Sequence, residues 1–298
     1  MMLKQLMVGC ALSLLKLLAV LPYGFVARFG DILGYLLYQL PSKRRCIVYT
    51  NLKLCFPHWS EARYQAVAAH HFRHAIRSYV ERSVQWFSSA KKFEKLVEIK
   101  SEIDLSDPNL PPTILLGFHF VGIEAGAISL NYALKRSCGA LYQPMSNLKI
   151  DRAAKKGRAR FNAQMISRSD SARTILRMLH EGTPVMLASD MDHGSRNSAF
   201  VPFFGMQACT LTTVSRLAKA AQAQVVPFIG EVLPNYKGYR LKVFRPWENY
   251  PSDDPIADTR RMNAFLEEQI ELMPEQYYWV HKRFKTRPPG APDLYDVC

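Results

Sequence analysis

The chain has 298 residues, 48% apolar and 21% charged, which is enough to bury a large core and too apolar for a disordered protein. Lys and Arg number 39 against 25 Asp and Glu, a net charge of +14 that attracts polyanions: nucleic acid, anionic lipid headgroups, phosphorylated glycolipids or an acidic carrier protein. The six cysteines (Cys10, Cys46, Cys55, Cys138, Cys209, Cys298) are scattered with no Cys-x-x-Cys pair, which argues against a zinc ribbon or dithiol motif and fits a reducing compartment.

Residues 6–22 are almost wholly apolar, broken only by Ser13 and Lys16, and more apolar residues follow at 32–40. The first stretch is at the short limit for crossing a bilayer, and no small-x-small cleavage site follows it. Arg28, Lys43, Arg44 and Arg45 downstream outweigh Lys4 upstream, which puts the bulk of the chain on the cytoplasmic side. The expectation is an N-terminal membrane helix within an anchoring and interfacial segment, residues 1–40, and a cytoplasm-facing domain at 41–298. A tilted interfacial helix is the alternative, because Lys16 must reach a polar boundary.

Beyond Pro57, Ser60 is positioned to cap a long helix over residues 61–86, with Glu61 at its positive end. His70, His71 and His74 lie on that helix without a carboxylate at ligand spacing, so they read as a solvated or headgroup-facing surface. From residue 97 the texture alternates. Strands are expected at 96–103, 113–118, 185–188, 225–229 and 239–244. Helices are expected at 122–134, 169–180 (capped by Ser169), 211–222 and 256–272, and residues 287–298 form a Pro-rich wrapping tail. This order predicts an α/β domain with a mostly parallel or mixed sheet flanked by helices.

The main chemical candidate is Gly117-Phe118-His119-Phe120-Val121-Gly122-Ile123-Glu124. A buried strand ends at His119, a turn follows, and Glu124 falls in the first turn of a helix. Functional groups gather outside the carboxyl ends of parallel strands. The expectation is that Glu124 accepts from one ring nitrogen and fixes the tautomer, leaving the other nitrogen as a general base. Asp190 and Asp192, after strand 185–188, are placed to meet substrate hydroxyls or to cap the turn into Gly194. Arg168, beside the expected cap Ser169, is placed to bind an anion.

Five segments resemble the late acyltransferases of bacterial lipid A biosynthesis, the lauroyl and myristoyl transferases. They are Asn51-Leu52-Lys53-Leu54-Cys55-Phe56-Pro57, the His119 to Glu124 motif, Ser189-Asp190-Met191-Asp192-His193-Gly194, Phe200-Val201-Pro202-Phe203-Phe204-Gly205, and the run from Pro274 through Lys282 and Arg283 to Pro288. The resemblance implies a glycerophosphate-acyltransferase-like fold with one N-terminal membrane helix at the cell inner membrane. It implies an acyl-carrier-protein thioester as donor, the hydroxyl of a 3-hydroxyacyl chain on a lipid A precursor as acceptor, and no metal or cofactor. It pairs His119 with Glu124 in catalysis and makes Arg168, Asp190, Asp192, Lys282 and Arg283 candidates for substrate binding.

Eleven Lys or Arg against two Asp lie between Lys135 and Arg177, a basic face suited to an acidic carrier protein or a phosphorylated headgroup. No nucleic-acid module accompanies it. Gly-x-Ser-x-Gly is absent, so direct attack of the acceptor hydroxyl is expected, with Arg168 or amides near Gly122 steadying the oxyanion. The alternatives are a related acyltransferase acting on lysophosphatidic acid or another glycolipid, and a non-catalytic membrane-surface binder.

Overall fold

The structure is a computed structural model describing residues 2–168, 170, 172–296 and 298. Helices α1 (Met2–Leu18), α2 (Tyr23–Gln39), α3 (Lys43–Cys55), α4 (Glu61–Phe87) and α5 (Ala90–Glu94) come first. The alternating part follows with β1 (Val97–Ser101), β2 (Thr113–Gly117), α6 (Ile123–Leu134), β3 (Cys138–Tyr142), α7 (Leu148–Arg158), β4 (Ala163–Ser167), α8 (Ala172–His180) and β5 (Val185–Ala188). A hairpin of β6 (Ser198–Phe203) and β7 (Met206–Leu211) leads to α9 (Thr213–Ala221), β8 (Gln224–Val232), β9 (Tyr239–Val243) and α10 (Pro255–Leu272).

The expected mixed α/β architecture is present. Seven strands form one sheet in the order β1-β9-β8-β2-β5-β3-β4, parallel except between β8 and β9. The central strand β2, Thr-Ile-Leu-Leu-Gly, is buried along its whole length, as a strand covered on both faces must be. Ile114 and Leu116 face a core shared with Leu217 of α9 and Leu266 of α10. Leu115 faces the other side, with Leu130 of α6, Met186 of β5 and Val226 of β8.

Sequence periodicity passes over β3, β4, α7 and the β6–β7 hairpin. Strand β4 is the edge of the sheet and β3 lies next to it, and their burial is mixed rather than alternating. The cap at Ser60 is as expected, its hydroxyl accepting from the Arg63 amide. The cap expected at Ser169 lies outside the described residues.

The N-terminal expectation needs correction. No helix among the described residues is long and apolar enough to cross a membrane, so the membrane-spanning helix is not supported. Helix α1 has 17 residues and ends on Lys16, Leu17 and Leu18. Its last carbonyls are followed by those of Ala19 and Leu21, which both accept from the Lys92 ammonium.

Helix α2 buries Val26, Ala27, Gly30, Asp31 and Gly34 against the core. Gly30 and Gly34 let it lie directly on α4: a Cβ at Gly34 would sit 2.6 Å from the Arg73 Cα, and one at Gly30 would sit 2.8 Å from the Arg77 Cα. Polar contacts tie the same interface. Asp31 pairs with Arg73, and Tyr236 donates to it; the buried Arg77–Glu81 pair also engages the Tyr23 hydroxyl.

Two further readings change. His71 is fully buried, its Nδ1 facing the Glu275 carbonyl at 3.1 Å, and burial pushes its pKa down to about 4; it is not a solvated surface residue. Cys46 and Cys298 are joined in a disulfide across 252 residues, which the scattered spacing gave no reason to expect.

Replacing Gly34 by Leu is expected to force α2 away from α4 and to cost about 1–3 kcal/mol. Thermal unfolding of the detergent-solubilised variant checks this, and an unchanged melting temperature would contradict the packing described.

Candidate active site

Strands β2 and β5 run parallel with Gly117 opposite Ala188. His119 and Asp190 each lie two residues past that pair, so the register alone brings them together although 71 positions separate them. The fully buried Asp190 carboxylate bonds His119 twice: Oδ2 accepts from the backbone amide at 2.9 Å and Oδ1 meets Nδ1 at 2.6 Å. Burial by itself would raise the Asp190 pKa. The His119 ring, its two hydrogen bonds and Arg283 outweigh that and hold it below the ordinary carboxylate range. A charged carboxylate only accepts, so Nδ1 carries a proton, and in the neutral imidazole it is Nε2 that holds the free lone pair. The imidazole is 30% exposed and lines a cavity of about 390 Å³.

Here the structure departs from the expected His–Glu contact. Glu124 lines the same cavity, but its carboxylate is gripped by Arg158 at 2.8 and 2.7 Å and by the Trp86 indole N–H at 2.7 Å. Burial would raise its pKa, and Arg158 leads the groups that overcome this and lower it. Five residues after His119, Glu124 has already turned into α6, while Asp190 occupies the ring's Nδ1 side. Arg158 reaches Glu124 because α7 lies close against α4. A Cβ on Gly157 would fall 2.3 Å from the Trp86 ring.

The remaining candidates do not line the cavity. Asp192 is the turn cap: its oxygens accept from the amides of Gly194 and Thr286 and from the Thr286 hydroxyl. Arg283 is buried at 1% exposure, bonded to the Cys209 carbonyl and the Thr210 hydroxyl, and so packs in the core away from the cavity. Lys282 lies 5.1 Å over the Tyr295 ring. Arg168 is exposed and 2.7 Å from Nδ1 of His193. Burial and then Arg168 push the His193 pKa down to about 4.

Sequence reading missed the role of the carboxyl-terminal run in building this site. The Val121 amide donates to the Gln276 carbonyl and the Tyr278 amide to the His119 carbonyl, so residues 276–278 form a short antiparallel pairing with the His119 loop. Gln276 in turn bonds both the amide and the carbonyl of Val232. The Asn51 carboxamide donates to the carbonyls of Trp279 and His281 and accepts from the Tyr295 hydroxyl. The signal was present as a long matching run; nothing in it indicated which loop it would hold.

The cavity runs from His119 between α6 and the sheet. Glu124, Ala127, Ile128 and Asn131 face it from α6, at the spacing of one helical face. Opposite them, Met186, Ala140 and Met165 form an in-register row across β5, β3 and β4. The arrangement joins an oriented base to an apolar slot.

The sequence model of the family described as bacterial lipid A biosynthesis acyltransferase matches residues 2–286. The chain belongs to that family. It is 34% identical to the lipid A biosynthesis lauroyltransferase of Escherichia coli (strain K12), over 95% of this chain and 93% of the relative. It is 32% identical to the palmitoleoyltransferase of the same strain, over 95% and 92%, and 30% identical to the myristoyltransferase, over 91% and 85%.

Asp190→Asn is expected to lower kcat/KM by roughly two or more orders of magnitude, through loss of the fixed tautomer. Combining it with His119→Ala should add little, as for residues acting as one unit. Steady-state kinetics of the two single variants and the double variant measure this; independent, additive losses would refute the pairing.

Proposed function

We propose that the chain transfers a fatty acyl group from an acyl-carrier-protein thioester to the hydroxyl of a 3-hydroxyacyl chain on a lipid A precursor. The observation that carries this reading is the His119–Asp190 pair at one wall of an apolar slot. His119 Nε2 takes the proton as the acceptor oxygen attacks the thioester carbon. The C–O bond forms, the C–S bond breaks, and the departing thiolate takes the proton from the imidazolium. Both substrates are bound together and no acyl-enzyme forms. Glu124 acts in this scheme by fixing Arg158 at the cavity wall rather than by touching the imidazole.

The acyl chain lies in the slot between α6 and the row Met186, Ala140 and Met165, so these side chains set the length accepted. Varying donor and acceptor together should give intersecting steady-state plots; parallel lines would indicate a ping-pong scheme and overturn direct attack. Ala140→Phe should shift the preferred donor toward shorter chains, read as turnover across a series of acyl lengths. An unchanged length profile would take the chain out of this slot.

The protein associates with the inner membrane through the outer faces of α1 and α2, without α1 needing to cross it. Phe25, Phe29, Ile32 and Leu36 are exposed at spacings of four, three and four, the helix face opposite Val26, Gly30 and Gly34. Such a strip beside a basic domain suits an anionic bilayer surface. Phe29→Glu with Ile32→Glu should release the protein from anionic vesicles at high salt, where the basic face is screened. Retention of the double variant on the vesicles would place the membrane contact elsewhere.

A further inference from the structure

Three side chains of fixed charge line the cavity among the described residues: Arg82, Glu124 and Arg158. Glu124 and Arg158 neutralise one another in a two-pronged pair. Arg82 has no carboxylate within ion-pair distance and no hydrogen bond among the described residues, and its Nε is buried without a partner. Aromatic rings hold it in place. The guanidinium lies 4.2 Å over the Tyr79 ring and 5.5 Å over that of Trp86, and Trp86 is itself fixed by its bond to Glu124. Tyr79 is fixed in turn through the hydroxyl of Tyr278, at 2.5 Å, and the Tyr278 amide donates to the His119 carbonyl.

Stacking engages the faces of a guanidinium and leaves its N–H edge free. A planar donor fork, held by rings and facing a cavity whose one carboxylate, Glu124, is hydrogen-bonded to Arg158 and reaches Arg82 only through the longer-range field, suits an anionic oxygen that arrives with the substrate. We propose that Arg82 contacts substrate and pairs with an anionic oxygen: a phosphate of the glycolipid acceptor, or the thioester oxygen as it becomes an oxyanion. The inference rests on the acyl-transfer reading above and adds a residue to it. The two sources share one chemistry and differ in when the charge is present. The phosphate is charged before reaction, and the oxyanion only during it.

The test uses the full chain in detergent as wild type, Arg82→Gln and Arg82→Lys. Each is assayed with an acyl-carrier-protein thioester and a phosphorylated glycolipid acceptor, with the same acceptor after phosphatase treatment, and with donor alone, where water replaces the hydroxyl. Arg82→Gln should lower kcat/KM for the phosphorylated acceptor on the order of 10- to 100-fold, the scale of one lost charged hydrogen bond. Arg82→Lys should recover only part of this, because an ammonium lacks the planar fork.

If the partner is the phosphate, the loss lies in the acceptor KM, disappears with the dephosphorylated acceptor, and leaves donor hydrolysis unchanged. If it is the oxyanion, the loss lies in kcat, is the same for both acceptors, and lowers hydrolysis in parallel. Should Arg82→Gln fail to fold, the same division between KM and kcat must appear in Arg82→Lys. Folded variants within about twofold of wild type in all three assays would overturn the inference. A wild type that transfers no acyl group would instead overturn the reading on which it rests.

Discussion

A carboxylate buried at the end of a parallel strand must find donors, and Asp190 finds both of its main ones in His119. With the backbone amide and the ring Nδ1 bound to the same side chain, position and tautomer are set together. A buried acceptor left without its donor typically costs about 1–3 kcal/mol, and more when it is charged, so this contact constrains the β2–β5 end of the sheet as well as the chemistry. The hairpin, the turn at Gly194 and the loop into α6 are arranged around it.

The carboxyl-terminal run closes the site from the other side. Its backbone pairs with the His119 loop, Gln276 fastens it to β8, and Asn51 holds its far end through two carbonyls. Asp192 works in the same assembly, capping its own turn while anchoring Thr286. The side chains expected to bind substrate in this region, Asp192 and Arg283, are occupied with building the wall. Their hydrogen bonds run to the protein itself, which leaves the Asp192 carboxylate little to offer a ligand.

On the opposite wall, α4 links the cavity to the N-terminal helices. One of its faces carries Ser78, Tyr79 and Arg82 to the cavity, with Trp86 behind Arg82. Another, with Arg73, Arg77 and Glu81, receives α2. The apolar outer strip of α2 is therefore held in a fixed orientation relative to the site, because two glycines allow backbone contact and the Asp31–Arg73 pair and the Tyr23 hydroxyl, bonded to Arg77 and Glu81, fix the register. An enzyme acting on a lipid needs its slot held in a defined position relative to the surface that carries the substrate. In the membrane-surface reading proposed above, this helix pair is that link.

The sequence by itself determined the α/β alternation, the buried central strand, the long capped helix α4 and the place of His119 just past the end of that strand, since each is written in local periodicity or in a short motif. It also carried the family, through the motifs around His119 and residues 274–288. What it did not determine was which carboxylate serves the histidine. Glu124 was nearer in the chain, but the five-residue interval turns it into α6 and onto Arg158; Asp190, 71 positions away, is delivered by strand register. Cys46 and Cys298, the burial of His71 and the packing of α2 on α4 were hidden for the same reason. Each depends on contacts between segments distant in sequence, and a one-dimensional pattern encodes which face a residue occupies but not which neighbour meets that face.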